Sequence, residues 1–166
     1  MTGVRMGERL LQIGLADASL AGMLAAKTGL SGHAVIVVPD DAHAARAQRG
    51  CADRGALADV HVATLDALPL EAAQFDVAIV HGSPGAITVS PVAVLRECHR
   101  VLRPGGRVIV IEGGRRSGLI AWLGRSSPAA AGGEPATDSL RAAGFLAVRL
   151  LADREGLRFT EGLKRS

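Results

Sequence analysis

Short apolar runs alternate along this chain with segments that carry a helical pattern of apolar positions. This alternation predicts a parallel α/β sheet whose faces are covered by helices. The clearest run is Ala34–Val38, where apolar residues, most of them β-branched, follow one another without a polar interruption, as in a strand buried on both faces. Four further strands are predicted on similar grounds, at Leu10–Gly14, Val60–Ala63, Asp76–Val80 and Val108–Ile111.

Capping residues indicate where helices begin and end between these strands. An N-cap side chain accepts a hydrogen bond from a free N–H group of the first turn, and a glycine often ends a helix. Ser90-Pro91 combines a capping hydroxyl with a proline at the first helical position. Four helices are therefore predicted, from Asp17 or Ser19 to Gly29, from Asp40-Asp41 to about Arg49, from Ser90-Pro91 to about Leu102, and from Thr137 to Gly144.

The last part of the chain carries two more strand patterns, Phe145–Leu151 and Leu157–Leu163, joined by Asp153-Arg-Glu-Gly156. This arrangement predicts a closing antiparallel hairpin. We therefore predict one domain over residues 1–166 with a three-layer, Rossmann-like α/β fold and a seven-stranded, mostly parallel sheet. Gly113–Ala136, which is rich in Gly, Ser, Ala and Pro, is predicted to be a mobile loop containing a short helix.

Composition narrows the class of protein. A chain of 166 residues that is 48% hydrophobic has the length for one packed core and does not resemble a disordered segment. The net charge of +3 comes mainly from arginines that are spread along the sequence. Because no basic cluster is interleaved with aromatic residues, nucleic-acid binding is not favoured.

Cysteine usage and hydropathy bear on metals and on compartment. Cys51 and Cys98 are isolated, without a CxxC pair or a Cys/His spacing, so we expect free thiols and no metal site. No apolar run approaches the ~20 residues that a membrane span requires. The N-terminus has no signal-like apolar region. We expect a cytoplasmic protein.

In a doubly wound sheet the ligand lies beyond the carboxyl ends of the strands, at the point where the strand order reverses. For this chain the reversal is expected between the first and fourth strands. The loops that follow Gly14, Val38 and Val80 should therefore form the site. Glycine lets the backbone approach a ligand closely, and an acidic side chain suits ribose hydroxyls.

Ala93–Arg107 carries a helical pattern that ends in a Pro-Gly-Gly turn, and Ala67-Leu-Pro-Leu70 is followed by Phe75-Asp76-Val77. These segments resemble the class I S-adenosylmethionine (SAM) dependent methyltransferases, specifically the ubiquinone and menaquinone biosynthesis type. The first is similar to the helix and turn before their fifth strand, and the second is similar to another of their signatures. The resemblance extends from Leu10 to Ile111, and more weakly to Leu163. It implies the strand order 3-2-1-4-5-7-6 and SAM as the cofactor.

Leu10–Ala18 stands where this family has an acid and a Gly-x-Gly-x-Gly loop. Gly14 matches the first loop glycine, whereas the next two glycines fall on Ala16 and Ala18. The acid of the first strand falls on Gln12. Asp17 lies in the loop, where the resemblance leaves it two roles: a contact to the sulfonium or amino group of SAM, or a helix cap.

The resemblance also implies two acidic positions beyond the second and third strands. The ribose-binding acid falls on Pro39, with Asp40 one residue later. The acid after the third strand falls on Thr64, with Asp66 two residues later, where it would lie near the adenine. These four positions complete the predicted cofactor site.

His81 ends the fourth strand, where the family often places residues that face the transferred methyl group. A histidine there is suited to act as a general base for an O- or N-methyl acceptor, since its pKa lies near neutrality. The alternative is a structural histidine that forms a hydrogen bond with the next loop.

Two functions stay open from the sequence. The first is SAM-dependent methyl transfer to a small-molecule acceptor; the second is a non-catalytic binding or assembly module that has lost SAM. A nicotinamide-dependent oxidoreductase is disfavoured by the closing hairpin. Because the first strand begins close to Met1, we expect the cleft to be covered by the Gly113–Ala136 loop, by a second copy in a homodimer or by another subunit.

Overall fold

Seven strands form one sheet in the computed structural model, which describes residues 2–82, 90–113, 136–154 and 157–165. The spatial order is β3-β2-β1-β4-β5-β7-β6. Pairing is parallel from β3 to β5, and β7 runs antiparallel to both β5 and β6. The predicted mostly parallel sheet with a closing hairpin is confirmed. The strands are β1 Arg9–Ile13, β2 His33–Val38, β3 Asp59–Val62, β4 Phe75–Gly82, β5 Leu102–Glu112, β6 Leu146–Arg154 and β7 Leu157–Leu163.

The described residues contain four helices, and none of these is both long and apolar enough to cross a membrane. The predicted mobile loop Gly113–Ala136 lies outside the described residues except for its two end residues. The helices are α1 Ala18–Thr28, α2 Asp41–Ala52, α3 Pro91–Val101 and α4 Ala136–Ala142.

Helix α3 ends within one residue of the predicted Leu102, because Leu102 already has an extended backbone and pairs with Phe75 of β4. The predicted start of the fifth strand at Val108 and the predicted helix cap at Thr137 were wrong. The Pro104-Gly105-Gly106 turn therefore lies inside β5, where the pairing register with β4 shifts. Helix α4 begins at Ala136, so Thr137 lies within its first turn and does not precede it as a cap.

Apolar residues of the sheet alternate between two faces. On one face, Val94 and Leu95 of α3 and Leu140 of α4 pack against the strands. On the other face, alanines of α1 and α2 pack against Ile36 and Val38, and Leu24 packs against the β1–β4–β5 region. Helices therefore lie on both sides of the sheet, which gives the three predicted layers. Both cysteines are free and buried, one on each face of the sheet.

Helices α1 and α2 are in direct backbone contact where they cross. A Cβ atom added at Gly50 would overlap the carbonyl oxygen of Ala18, and one added at Gly22 would overlap the carbonyl oxygen of Gly50. Both glycines lie inside helices, so their role here is close approach and not unusual backbone conformation. This contact fixes the position of the first turn of α1, which follows the candidate cofactor loop.

The segment between β3 and β4 is held against α3 by a charged network. Arg100 donates to both carboxylate oxygens of Glu97 at 2.7 and 2.8 Å and to the carbonyl oxygens of Leu68 and Leu70. Glu97 in turn accepts from the Leu68 N–H at 2.9 Å. The Arg100 hydrogen bonds hold the pKa of the Glu97 carboxyl below its usual value, against the opposing effect of burial.

Replacing Gly50 with alanine should destabilise the protein. Alanine favours a helix by about 1 kcal/mol over glycine. Here the added methyl group must push the two helices apart, and overpacking of this kind costs about 1–3 kcal/mol. We expect Gly50→Ala to lower the free energy of unfolding in urea titration, while Gln48→Ala, on an exposed position of the same helix, leaves it unchanged or raises it. A Gly50→Ala protein as stable as the wild type would contradict the backbone contact.

Replacing Glu97 with glutamine should destabilise the protein in a pH-dependent way. Hydrogen bonds to charged groups contribute about 1.5–3 kcal/mol, so we expect a loss of that order near neutral pH. Because the folded-state pKa of Glu97 is lowered, the wild-type advantage is present above the unfolded-state pKa and is lost as pH falls through the folded-state pKa. Urea titrations of wild type and Glu97→Gln at neutral and strongly acidic pH measure the difference. Glu71→Gln, on an exposed carboxylate, is the control; a difference independent of pH would contradict the prediction.

Candidate cofactor site

The candidate site lies where the carboxyl ends of β1 and β4 run side by side. Gly14 follows β1 with a left-handed backbone, φ +73°, and its N–H donates to the Val37 carbonyl of β2 at 2.9 Å. A Cβ atom at this position would come within 3.3 Å of the His81 carbonyl oxygen at the end of β4. Glycine is therefore favoured here by its positive φ, and a methyl group would also be tight against the end of β4, as expected for the first glycine of a ligand-binding turn.

Asp17 is the N-cap of α1. Its carboxylate accepts from the Leu20 N–H at 3.0 Å, which is one of the two roles considered from the sequence. Ala16 is exposed next to it, and Ala18 starts the helix. Neither alanine has a positive φ, so a methyl group at these two positions does not strain the loop.

Gln12 is fully buried within β1, and both ends of its amide form hydrogen bonds inside the protein. The Nε2 group donates to the Ala21 carbonyl of α1 at 3.0 Å. The Oε1 atom lies 3.1 Å from Nε2 of His81. The position implied for the acid of the first strand is thus occupied by a neutral side chain that connects β1, α1 and β4.

His81 is fully buried at the end of β4, with 0% of its surface exposed. Its Nε2 faces Gln12, and its Nδ1 has no hydrogen-bond partner among the described residues. Burial lowers the pKa of His81 to about 4, against a smaller opposing effect of the Asp17 charge. The imidazole is therefore neutral at physiological pH, and it is a weaker proton acceptor than the ordinary histidine that the sequence suggested as a general base.

Asp40 is the N-cap of α2, directly after β2 and Pro39. It accepts from the His43 N–H at 2.9 Å and from the His43 ring nitrogen at 2.8 Å. These hydrogen bonds, the backbone one first, lower the pKa of Asp40. The side chain is about half exposed, at 52%, and a carboxylate offers roughly four lone-pair positions. Asp40 therefore retains accepting capacity toward solvent or a ligand.

Thr64 and Asp66 are exposed in the loop after β3. A turn hydrogen bond from the Ala67 N–H to the Thr64 carbonyl, 3.3 Å long, shapes this loop. Because β1 to β4 are parallel, the loops that carry the sequence-predicted site residues all leave the sheet at its carboxyl edge.

Glu112 is a further candidate that the sequence analysis missed. It ends β5 at the same edge and stands in register with Gly82 of β4. It lines a cavity of about 270 Å³ together with Gly113, Asp153 and Arg158. Burial raises the pKa of Glu112, while the charge of Arg158 and the Ala136 N–H act in the opposite direction. The sequence signal that could have identified Glu112 is its position as an acidic residue directly after the apolar run of the fifth strand.

Relatives with curated functions align with about two thirds of this chain. The chain is 32% identical over 113 residues to a protein named ubiquinone/menaquinone biosynthesis C-methyltransferase UbiE from Idiomarina loihiensis, covering 67% of this chain and 45% of that relative. A protein of the same name from Serratia proteamaculans is 31% identical over the same share of each chain. The chain thus spans about half the length of the curated relatives it matches.

Solved structures share the fold. A SAM dependent methyltransferase from Aquifex aeolicus has a TM-score of 0.77 at 18% identity, covering 98% of this chain and 85% of that one. A SAM-dependent O-methyltransferase from Thermotoga maritima has a TM-score of 0.74 at 13% identity, covering 100% and 62%. Residues 10–106, which include Gly14, Asp40 and His81, match the family described as Methyltransferase domain. The chain therefore belongs to the methyltransferase domain family.

Proposed function

We propose that this protein binds S-adenosylmethionine at the carboxyl edge of the sheet and transfers its methyl group to a small-molecule acceptor. The observation that carries the proposal is the Gly14 turn. Its left-handed backbone packs against the end of β4, within the segment that matches the methyltransferase domain. The same turn places the first turn of α1 at the point where the strand order reverses.

The ribose of the cofactor is assigned to Asp40. Its pKa is lowered, so the carboxylate is ionised at neutral pH, and the hydrogen bonds it would accept from ribose hydroxyls are charge-assisted. The side chain is already oriented by the two contacts to His43. Less side-chain freedom is therefore lost on binding.

The amino-acid part of the cofactor is assigned to the turn between β1 and α1. The N-terminus of α1 carries a partial positive charge that suits a ligand carboxylate. The exposed Asp17 carboxylate adds a negative charge beside it, which suits an ammonium or a sulfonium. The cofactor supplies an activated methyl group, and the protein's contribution is mainly to hold that group in line with the acceptor atom.

A proton must leave the acceptor in many methyl transfers. Of the two buried or half-buried candidates at this edge, Glu112 is the better suited, because it lines a cavity and its pKa is raised toward neutrality. The Nδ1 atom of His81 is enclosed and weakly basic. Glu112 is accordingly proposed to take the role that the sequence analysis gave to His81.

The compartment and the assembly that we propose rest on the sequence. Two free, buried cysteines fit a reducing cytoplasm. A homodimer or a partner subunit that covers the cleft is retained as a proposal. The non-catalytic alternative differs in one decisive property, since a module that has lost SAM would not bind it.

The proposal predicts measurable binding of S-adenosylhomocysteine, the demethylated product, by calorimetry at neutral pH. Because Ala16, Ala18 and Gln12 replace the implied contacts, we expect micromolar or weaker affinity, about −8 kcal/mol or less favourable. Asp40→Asn should weaken binding about tenfold or more, a loss of about 1.4 kcal/mol or more. Asparagine is itself a good N-cap, so α2 should be preserved while the charge is lost.

Asp41→Asn is the matched control, since Asp41 is the exposed neighbour in the first turn of α2. Equal affinity of Asp40→Asn and wild type would remove Asp40 from the site. If wild-type protein bound neither SAM nor its product at millimolar concentrations, the cofactor assignment would be overturned in favour of the non-catalytic alternative.

A further inference from the structure

A cavity of about 330 Å³ lies between the first turn of α1 and the C-terminal half of α2. Among the described residues that are predicted to bind the cofactor, Ala18 alone lines it, and it shares no lining residue with the cavity beside Glu112. The proposed function therefore leaves this cavity without a role. Its charged lining residues are Arg46, Arg49, Asp53 and Arg54, and Ser19 adds a hydroxyl group.

The arginines give the cavity a positive charge. Helix α2 carries Arg46 and Arg49 three positions apart, so their side chains are neighbours on the helix surface, and Arg54 follows in the turn after the helix. Like charges on neighbouring helix positions destabilise the helix by a small amount. Three arginines and one aspartate, Asp53, leave a formal charge of +2 around the cavity.

This charge is not neutralised within the described part of the chain. Six other arginines there pair with carboxylates, whereas Arg46, Arg49 and Arg54 form no ion pair with a described residue. Arg54 is oriented by a neutral group, since its Nη2 donates to the Ser19 hydroxyl oxygen at 2.7 Å. A guanidinium group has five N–H donors, so the other donors of Arg54 stay available to a ligand.

The first turn of α1 adds to the positive character of the cavity. Ala18 and Ser19 begin this helix, where the aligned peptide dipoles produce a partial positive charge. The close contact between Gly50 and Ala18 holds the C-terminal half of α2 beside that turn. Cations are favoured near a helix C-terminus, which accounts for Arg49 in the last turn of α2. The same cations beside the N-terminus of α1 are unfavourable, and a bound anion would remove this conflict.

We propose that this cavity binds the phosphate group of a phosphate monoester. Such a group carries a charge of about −1.5 to −2 at neutral pH and three acceptor oxygens, which match the charge of the cavity and its guanidinium donors. Arginine suits phosphate because its planar fork can donate two parallel hydrogen bonds. The cavity volume lies at the lower end of the range of about 300–1,000 Å³ for small-molecule sites, which fits a compact ester. The site is independent of the proposed cofactor function.

Calorimetry with glycerol 3-phosphate, at constant ionic strength and with chloride as the reference anion, tests the site directly. We expect saturable binding with a dissociation constant of about 1 mM or tighter. Phosphatidic acid presents the same chemical group on a lipid, so sedimentation with phosphatidylcholine vesicles, with and without phosphatidic acid, shows whether the ester is soluble or a lipid headgroup. Binding of neither ester would overturn the inference, and so would a response to chloride equal to that of the phosphate ester.

Variants assign the binding to the cavity. Glutamine has nearly the helix propensity of arginine, so Arg46→Gln combined with Arg49→Gln should preserve α2 while removing two charges. We expect this double variant to weaken glycerol 3-phosphate binding about tenfold or more, and Ser19→Ala, which frees Arg54, to weaken it about threefold. Arg96→Gln, on an exposed position of α3, is the matched control and should stay within about twofold of the wild type. Equal losses in the control and the double variant would reduce the binding to general attraction by a basic protein and overturn the inference.

Nitrogen-15 NMR of the wild type makes the test independent of the folding of the variants. The inference requires the Arg54 Nε–H resonance and the backbone amide resonances of Ala18 and Ser19 to move on addition of glycerol 3-phosphate. The Nε–H resonance of Arg96 should stay in place. An unchanged Arg54 resonance at saturation would exclude the site.

Discussion

The close approach of β1 to β4 at their carboxyl ends determines the arrangement of the candidate site. The two strands pair in register up to Ile13 and Val80, so the next residues, Gly14 and His81, come into contact. A side chain at Gly14 would be tight against the His81 carbonyl oxygen and would strain the left-handed backbone of the turn. The position of Asp17 therefore depends on two backbone contacts, this one and the glycine contact between α1 and α2 on the other side of the turn.

At this contact, two neutral, buried side chains stand where the resemblance implies a charged one. A carboxylate on the first strand, which the resemblance implies, would bring a negative charge into the region that Gln12 and His81 now occupy without charge. Burying an unpaired charge costs more free energy than burying a hydrogen-bonded amide. The neutral pair therefore suits a position enclosed between the sheet and α1. Asp17 is then the exposed source of negative charge in the turn.

The sequence predicted β2, β4 and the end of β5 well because they are largely apolar runs. It included Asp17 and Asp40 among the candidate N-caps because capping depends on local residues. It did not predict the strand pairing at Leu102, which depends on Phe75 in a distant segment. The Gln12–His81 hydrogen bond joins residues 69 positions apart, and no local pattern encodes it. The position of Glu112 was not predicted either, because it depends on the pairing of β5 with Gly82 of β4.

A methyltransferase fold does not by itself establish methyl transfer, because the same fold can carry different sites. Relative to the pattern that the resemblance implies, the acid of the first strand and two loop glycines are replaced in this chain, and these replacements differ in their physical consequences. The two alanines adopt ordinary backbone conformations, so their cost is limited to the space that a methyl group takes from a ligand. The change at Gln12 alters the charge of the site. Under the proposed function, the change at Gln12 therefore weighs more on cofactor affinity than the missing glycines do.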